Sequence, residues 1–343
     1  MTFHIRLQNS ERVFTAKAGE TVLEAALRAG VILPYGCRNG ACGTCKGSLI
    51  SGTVQYREAS LAGITAQEQG AGFALYCRAL PRSDLVIAAR SVESGFPPIR
   101  RLPCRVAALE KCSASILRLF LQLPATERLD FRPGQHIDVL LAHGERRSYS
   151  LANAPHLQEH IELHVRHYPG GHFSDYAFSG MKEKSLLRIE GPLGTFTLRE
   201  GSKRPMIMVA GGTGFAPIKS IIEYMLQRQL DREVMLYWGA RQQEDLYLHD
   251  LARQWAADHG RIRYIPVLSE QKTGTARGFR TGLVHEAVLE DFSNLDGYEV
   301  YTCGPPPMVH AVRDTFVQCG LSPEFIYSDS FETAPAQDGS RDD

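Results

Sequence analysis

The sequence predicts a multidomain protein of α+β and α/β class: a small mixed unit, an antiparallel β-barrel, then a doubly wound parallel sheet. Three observations predict it. Four cysteines, Cys37, Cys42, Cys45 and Cys77, gather in the glycine-punctuated first third of the chain. Short alternating apolar segments fill the middle. The last third changes to apolar strands separated by helical stretches, with glycine-rich turns at strand ends. These shifts divide the chain into residues 1–93, 100–201 and 203–331, followed by a loose polar tail at 332–343.

Bulk properties exclude several function classes. The 343 residues are 43% hydrophobic, enough for several cores and too much for a disordered chain. Lys+Arg and Asp+Glu both number 38, a formal charge of zero, so no nucleic-acid partner is expected. Met1-Thr2-Phe3-His4-Ile5-Arg6 lacks the apolar core of an export signal. No run approaches ~18 apolar residues, so no membrane span is expected. Eight cysteines without an export signal suit a reducing cytoplasm.

In the first unit, Phe3, Ile5 and Leu7 alternate with polar residues and predict a half-buried strand. Thr21-Val22-Leu23-Glu24 is a capping box opening a helix with Val22, Ala25, Ala26 and Ala29 on one face. Gly30 is its natural stop. The loop Pro34-Tyr35-Gly36-Cys37-Arg38-Asn39-Gly40-Ala41-Cys42-Gly43-Thr44-Cys45 follows, then a strand at Lys46–Leu49. Its cysteines read C-x4-C-x2-C, with Cys77 at a distance, which is the plant-type spacing for a [2Fe–2S] cluster. A tight loop supplies three thiolates, and a residue from elsewhere closes the site. Zinc sites show two short paired spacings, and Cys77 has no such neighbour. Structural disulfides need an oxidising compartment. Cys104, Cys112 and Cys319 lie outside the pattern and are expected to be small buried hydrophobes. The whole unit resembles the β-grasp fold of plant-type ferredoxins. Ser94-Gly95-Phe96-Pro97-Pro98 reads as a linker.

In the second unit Leu117, Leu119, Leu121 and Leu123 alternate with polar and aromatic residues, as do Ile161, Leu163 and Val165. Turns at Arg132-Pro133-Gly134 and Gly191-Pro192-Leu193-Gly194 complete the antiparallel barrel pattern. Arg147-Ser148-Tyr149-Ser150 suits a flavin dinucleotide. Arg147 can pair with a pyrophosphate, Tyr149 can stack on the ring, and Ser150 can hydrogen-bond N5, where hydride arrives. Gly170-Gly171-His172-Phe173-Ser174 follows, with Gly170, Gly171 and Ser174 forming a backbone nest suited to phosphate. Taken singly, these residues read better as a surface arginine, a core tyrosine and an ordinary glycine turn.

The third unit opens with the apolar strand Met206–Ala210 and then Gly211-Gly212-Thr213-Gly214. A strand-to-helix turn places free N–H groups at a phosphate, although G-x-G-x-x-G is absent. Further strands are expected at Val234–Trp238, Ile262–Leu268 and Glu299–Thr302. Cys303-Gly304-Pro305-Pro306-Pro307-Met308 ends the last of these, at the edge of the same sheet.

R-x-Y-S, G-G-x-x-S, GGTG and CGPPPM, in this order behind the cysteine motif, resemble the cluster-containing reductases of the ferredoxin–NADP⁺ reductase superfamily. That group includes oxygenase reductase components and CDP-6-deoxy-glucoseen reductases. The resemblance implies electron flow from NADH to FAD to [2Fe–2S] to a partner protein. It assigns Arg147, Tyr149, Ser150, Gly170, Gly171 and Ser174 to FAD. It assigns Gly212, Thr213 and Gly214 to the nicotinamide dinucleotide, Cys303 to the nicotinamide, and Phe331 to the flavin. Members using NADPH place an arginine after a serine at the position of Ser269-Glu270; Glu270 here points to NADH rather than NADPH. Ser150 and Cys303 are the catalytic candidates. Two acceptors fit: a pyridoxamine-dependent CDP-hexose dehydrase, to which Tyr327-Ser328-Asp329-Ser330-Phe331 leans, or a ring-hydroxylating or monooxygenase component. A non-enzymatic redox carrier or sensor would need neither GGTG nor CGPPPM.

Overall fold

The computed structural model describes residues 1–331 apart from 9, 59–60, 90–94 and 272–277; the expected tail at 332–343 lies outside the described residues, as does Ser94 of the linker. The N-terminal unit contains β1 (Thr2–Leu7), β2 (Val13–Lys17), α1 (Val22–Arg28), β3 (Lys46–Ser51), β4 (Val54–Gln55), α2 (Ala66–Gly70), β5 (Phe73–Leu75), β6 (Leu80–Pro81) and β7 (Leu85–Ala88). Its sheet runs β2-β1-β7-β3-β5, with β1 and β7 parallel. The capping box is present: the Glu24 N–H donates to Thr21 Oγ1 at 3.2 Å and the Thr21 N–H to Glu24 Oε2 at 2.9 Å. Val22, Leu23, Ala25 and Ala26 bury α1 against Ile5, Phe14 and Ile87. Ala29 is the cap rather than a core position, because the helix has already ended at Arg28. β3 also runs two residues past the apolar pattern, held by pairing with β7.

The second unit holds β8 (Arg100–Lys111), β9 (Ile116–Gln122), β10 (His136–Leu140), β11 (Arg146–Ser150), β12 (Ile161–Arg166), α3 (His172–Ser179) and β13 (Leu186–Leu193). The order β11-β10-β13-β8-β9-β12 is antiparallel throughout, and a Leu151–Leu163 bridge joins the two ends into a barrel. Leu117, Leu119, Leu121, Leu163 and Val165 fill its interior. Leu123 lies past the end of β9 and is only partly buried. Cys104 is buried, whereas Cys112 and Cys319 are half-buried, so the core expectation fails for those two. Both sit just outside a regular element, where packing is incomplete.

The third unit contains β14 (Met206–Gly211), α4 (Phe215–Gln227), β15 (Val234–Ala240), α5 (His249–Asp258), β16 (Ile262–Leu268), β17 (Arg280–Thr281), α6 (Val284–Asp291), β18 (Glu299–Gly304), α7 (Pro306–Gln318) and β19 (Ile326–Ser330). The sheet is parallel, in the order β17-β16-β15-β14-β18-β19. Met206, Met208 and Ala210 pack on one face and Ile207 and Val209 on the other, which is why β14 reads as unbroken apolar sequence. The strand order reverses between β14 and β18, which opens a crevice at their carboxyl ends.

A buried charge network joins barrel and sheet. Lys219 on α4 donates to Glu162 Oε2 and to the Ala152 carbonyl, and pairs with Glu223 at 2.9 Å. Arg118 and His164 also meet Glu162, and Tyr247 lies 2.6 Å from His164 Nδ1.

Candidate functional site

The four cysteines converge two by two. The Cys37 thiol lies beside that of Cys42, and the Cys77 thiol beside that of Cys45. The Cys42 N–H also donates to Cys37 Sγ at 3.3 Å. Two thiol pairs suit a pair of irons, each needing two thiolates and sharing inorganic sulfides. Cys42, Cys45 and Cys77 are buried, while Cys37 is partly accessible. Gly43 takes φ +69°, which a side chain rarely adopts, and so lets the loop turn tightly between Cys42 and Cys45.

The barrel docks directly on this loop. The Tyr35 N–H donates to Thr195 Oγ1 at 2.9 Å, and the Thr195 N–H returns to the Tyr35 carbonyl at 3.0 Å. Arg38 pairs with buried Asp138, which also accepts from Ser148 Oγ at 2.7 Å. Ser148 belongs to the R-x-Y-S stretch, so the cysteine loop and the flavin candidates share one carboxylate.

On β11, Ser150 Oγ is buried without a hydrogen-bond partner, a cost of about 1–3 kcal/mol unless something bonds it. Tyr149 packs on Phe173 with ring centroids 5.2 Å apart. Arg147 Nη2 and His172 Nδ1 lie 3.3 and 3.1 Å from the same Glu145 carboxylate, which draws the two motifs together. Gly170 donates its N–H to Asp175 Oδ2 at 3.0 Å. The Ser174 hydroxyl is engaged within its own loop: it reaches the Tyr168 carbonyl at 2.9 Å and accepts from the Tyr168 N–H at 3.2 Å. Ser174 therefore shapes the Gly170–Gly171 turn.

At the sheet edge, Gly212, Thr213 and Gly214 form a single turn between β14 and α4. A Cβ at Gly214 would overlap the Cys303 carbonyl, so only glycine lets this turn approach β18. Cys303 is fully buried; burial, then nearby Asp329, push its thiol well above the ordinary value and keep it protonated. The Phe331 N–H donates to the Gly304 carbonyl at 3.0 Å, which ties the aromatic beside Cys303. Ser269 stands further out, at the end of β16, where its N–H meets the Ala240 carbonyl at 2.9 Å. Beside it Arg241 and Glu270 lie 3.6 Å apart, both largely exposed.

Several site groups escaped sequence reasoning. Thr302 Oγ1, Ser330 Oγ and His136 Nε2 are buried without partners, like Ser150 Oγ. The signal for Thr302 was a polar residue within a largely apolar strand; Ser330 lies in the mixed polar run of β19, which gave no such signal. His136 pairs across from Ser150 in the β10–β11 register. Asp329 lies beside the cysteine loop, where a Cβ at Gly36 would come within 2.8 Å of its Oδ1. Burial, then the Cys42 sulfur, push its carboxyl up to about 8. Thr44 Oγ1 donates to the Ser328 carbonyl at 2.9 Å, so β19 borders the cysteine loop as well.

Three family models match the chain in the order of its units. They are a 2Fe-2S iron-sulfur cluster binding domain over residues 5–82, an oxidoreductase FAD-binding domain over 103–198 and an oxidoreductase NAD-binding domain over 208–314. The chain is 39% identical over 333 residues to the CDP-6-deoxy-L-threo-D-glycero-4-hexulose-3-dehydrase reductase of Yersinia pestis, covering 96% of this chain and 99% of that protein. It is 36% identical over 338 residues to a terephthalate 1,2-dioxygenase reductase component of Comamonas, covering 98% and 99%. Among solved structures, the Amycolatopsis cytochrome P450 reductase GcoB superposes with a TM-score of 0.78 at 34% identity, covering 96% of this chain and 98% of that one. Among the described residues no helix is long and apolar enough to cross a membrane.

Proposed function

This chain belongs to the [2Fe–2S] flavoprotein reductases of the ferredoxin–NADP⁺ reductase superfamily, and we propose that its acceptor is a pyridoxamine-dependent dehydrase acting on a CDP-hexose. The chain is an oxidoreductase with NAD-binding, FAD-binding and 2Fe–2S domains in one polypeptide. When bound, FAD takes the hydride of NADH as a pair of electrons and the cluster passes electrons on singly. The chain's own residues hold and orient these groups. Cys37, Cys42, Cys45 and Cys77 supply the four thiolates. The buried, unpartnered Ser150 hydroxyl is the donor to the flavin ring. Tyr149 would wall that ring, and Arg147, which meets Glu145 here, would pair with the pyrophosphate together with the Gly170–Gly171 turn. Gly212, Thr213 and Gly214 receive the nicotinamide dinucleotide at the crevice, with neutral Cys303 fixing the nicotinamide and Phe331 covering the flavin. Glu270 beside Ser269 repels a 2′-phosphate, so NADH is preferred to NADPH. A cytoplasmic location is part of this proposal, since thiolate ligands and NADH both suit a reducing compartment.

The observation that carries the acceptor is the 39% identity, nearly end to end, with a dehydrase reductase. The 36% relative supports an oxygenase component as the second reading. The test is reconstitution. NADH consumption should rise when the dehydrase and its CDP-hexose substrate are added together, and not with either alone. Coupling to an oxygenase component with no response to the dehydrase would reverse the choice.

A further inference from the structure

Helix α7 of the nucleotide unit meets the cysteine loop through two side chains. His310 and Arg313 are three residues apart, hence on one side of the helix. They reach two successive peptides of that loop. The Ala41 carbonyl accepts from His310 Nε2 at 3.0 Å, and the Cys42 carbonyl accepts from Arg313 Nη1 at 2.9 Å. A carbonyl only accepts, so His310 Nε2 carries the proton. A trans peptide directs its N–H opposite to its C=O. The peptide whose carbonyl meets His310 therefore turns its N–H inward. That N–H belongs to Cys42 and donates to Cys37 Sγ at 3.3 Å. Arg313 holds the following peptide in the same manner, close enough that a Cβ at Gly43 would come within 3.0 Å of its Nη1.

We propose that His310 and Arg313 are positioning residues that set the reduction potential of the iron–sulfur cluster from the nucleotide unit. The proposal rests on the reading that Cys37, Cys42, Cys45 and Cys77 hold that cluster. Reduction adds one electron, delivered from the flavin, and no proton, so the site gains one negative charge. Peptide N–H groups aimed at ligand sulfur stabilise that charge and raise the potential. The Arg313 guanidinium adds its positive charge to the effect from outside the loop.

The experiment is an anaerobic redox titration of the full holoprotein, following the electron paramagnetic resonance signal of the reduced cluster and the flavin absorbance separately. At the potential where half the wild-type cluster is reduced, Arg313→Gln should lower the reduced-to-oxidised ratio about tenfold, which is about 59 mV for a one-electron couple. His310→Ala should lower it by a smaller factor. Arg313→Lys and His310→Gln, which restore charge and donor, should return it toward wild type. The flavin midpoint should stay in place in all four. Cluster ratios within about twofold of wild type in both Arg313→Gln and His310→Ala, with irons retained, would overturn the proposal. So would a flavin midpoint that moves as far as the cluster's. If Arg313→Gln does not keep its irons, His310→Ala against His310→Gln decides by the same criteria. Wild-type protein without iron and labile sulfide would sink the ligand reading underneath, and the proposal with it.

Discussion

At Cys303, burial removes every role that needs a thiolate, because the thiol stays protonated well above neutral pH. What remains is shape: the side chain lies near the end of β18 beside the Gly214 turn, the place proposed for the nicotinamide. Cys303→Ala should slow flavin reduction by NADH about tenfold, a loss of roughly 1.4 kcal/mol, in stopped-flow measurements. Its iron–sulfur spectrum should be unchanged. Cys42→Ser should do the opposite, losing two irons and two labile sulfides on chemical analysis while keeping one FAD. Glu270 works through charge. It stands 3.6 Å from Arg241 and on the proposed reading offsets that cation's attraction for a 2′-phosphate. NADH should exceed NADPH about tenfold in kcat/KM, and Glu270→Gln should narrow that ratio. Equal use of both nucleotides by the parent protein would remove Glu270 from this role. The cysteine spacing and the R-x-Y-S and GGTG stretches were legible because their chemistry is local in sequence. Ser174 was legible as a residue of the loop, but the partners of its hydroxyl were not.

Among elements, the capping box of α1 was readable to the residue, since Thr21 and Glu24 satisfy each other over one turn. The strand β19 was not. Ile326–Ser330 reads as mixed polar sequence because Ser328, Asp329 and Ser330 are buried at a junction between units rather than in a core. The seam of β12 and α4 was equally hidden, for it joins Glu162 to Lys219 across 57 positions. Burial alone would raise the Glu162 carboxyl. The hydrogen bond from His164 and the charges of Lys219 and Arg118 outweigh it and hold the group well below the usual range. Glu162→Gln leaves buried cations less compensated and should cost about 3 kcal/mol, at the low end for such pairs because Glu223 and Glu110 remain. Calorimetry at pH 7 should show the lower midpoint. The sign with pH follows from the lowered value. The unfolded chain takes up this proton first, so the stabilisation is whole above about 4.5 and drains as pH falls through the folded value. His164, held neutral by burial, weakens the seam in the same direction below about 6.5. Glu223, raised by burial, acts oppositely. The gap between wild type and Glu162→Gln should therefore close in acid; a gap that widens below pH 4.5 would refute the assignment.

For the whole molecule, the chemistry of the three groups sets the direction of electron flow, from pyridine nucleotide to flavin to the cluster of the first unit. Ferricyanide is small enough to draw electrons from reduced flavin, whereas cytochrome c is bulky and should depend on the cluster. The Cys42→Ser protein should keep most NADH–ferricyanide activity and lose most cytochrome c reduction. Undiminished cytochrome c reduction without a cluster would move the exit elsewhere. The cysteine loop is held from two sides, by Thr195 and Asp138 of the barrel and by His310, Arg313 and Ser328 of the nucleotide unit. A domain pinned this way should not swing between donor and acceptor. Transfer inside the molecule is then a hop across a fixed gap, and thickening the medium with glycerol or sucrose should leave its rate unchanged. Delivery to the acceptor protein, which must diffuse to the accessible Cys37 edge, should slow in proportion to viscosity.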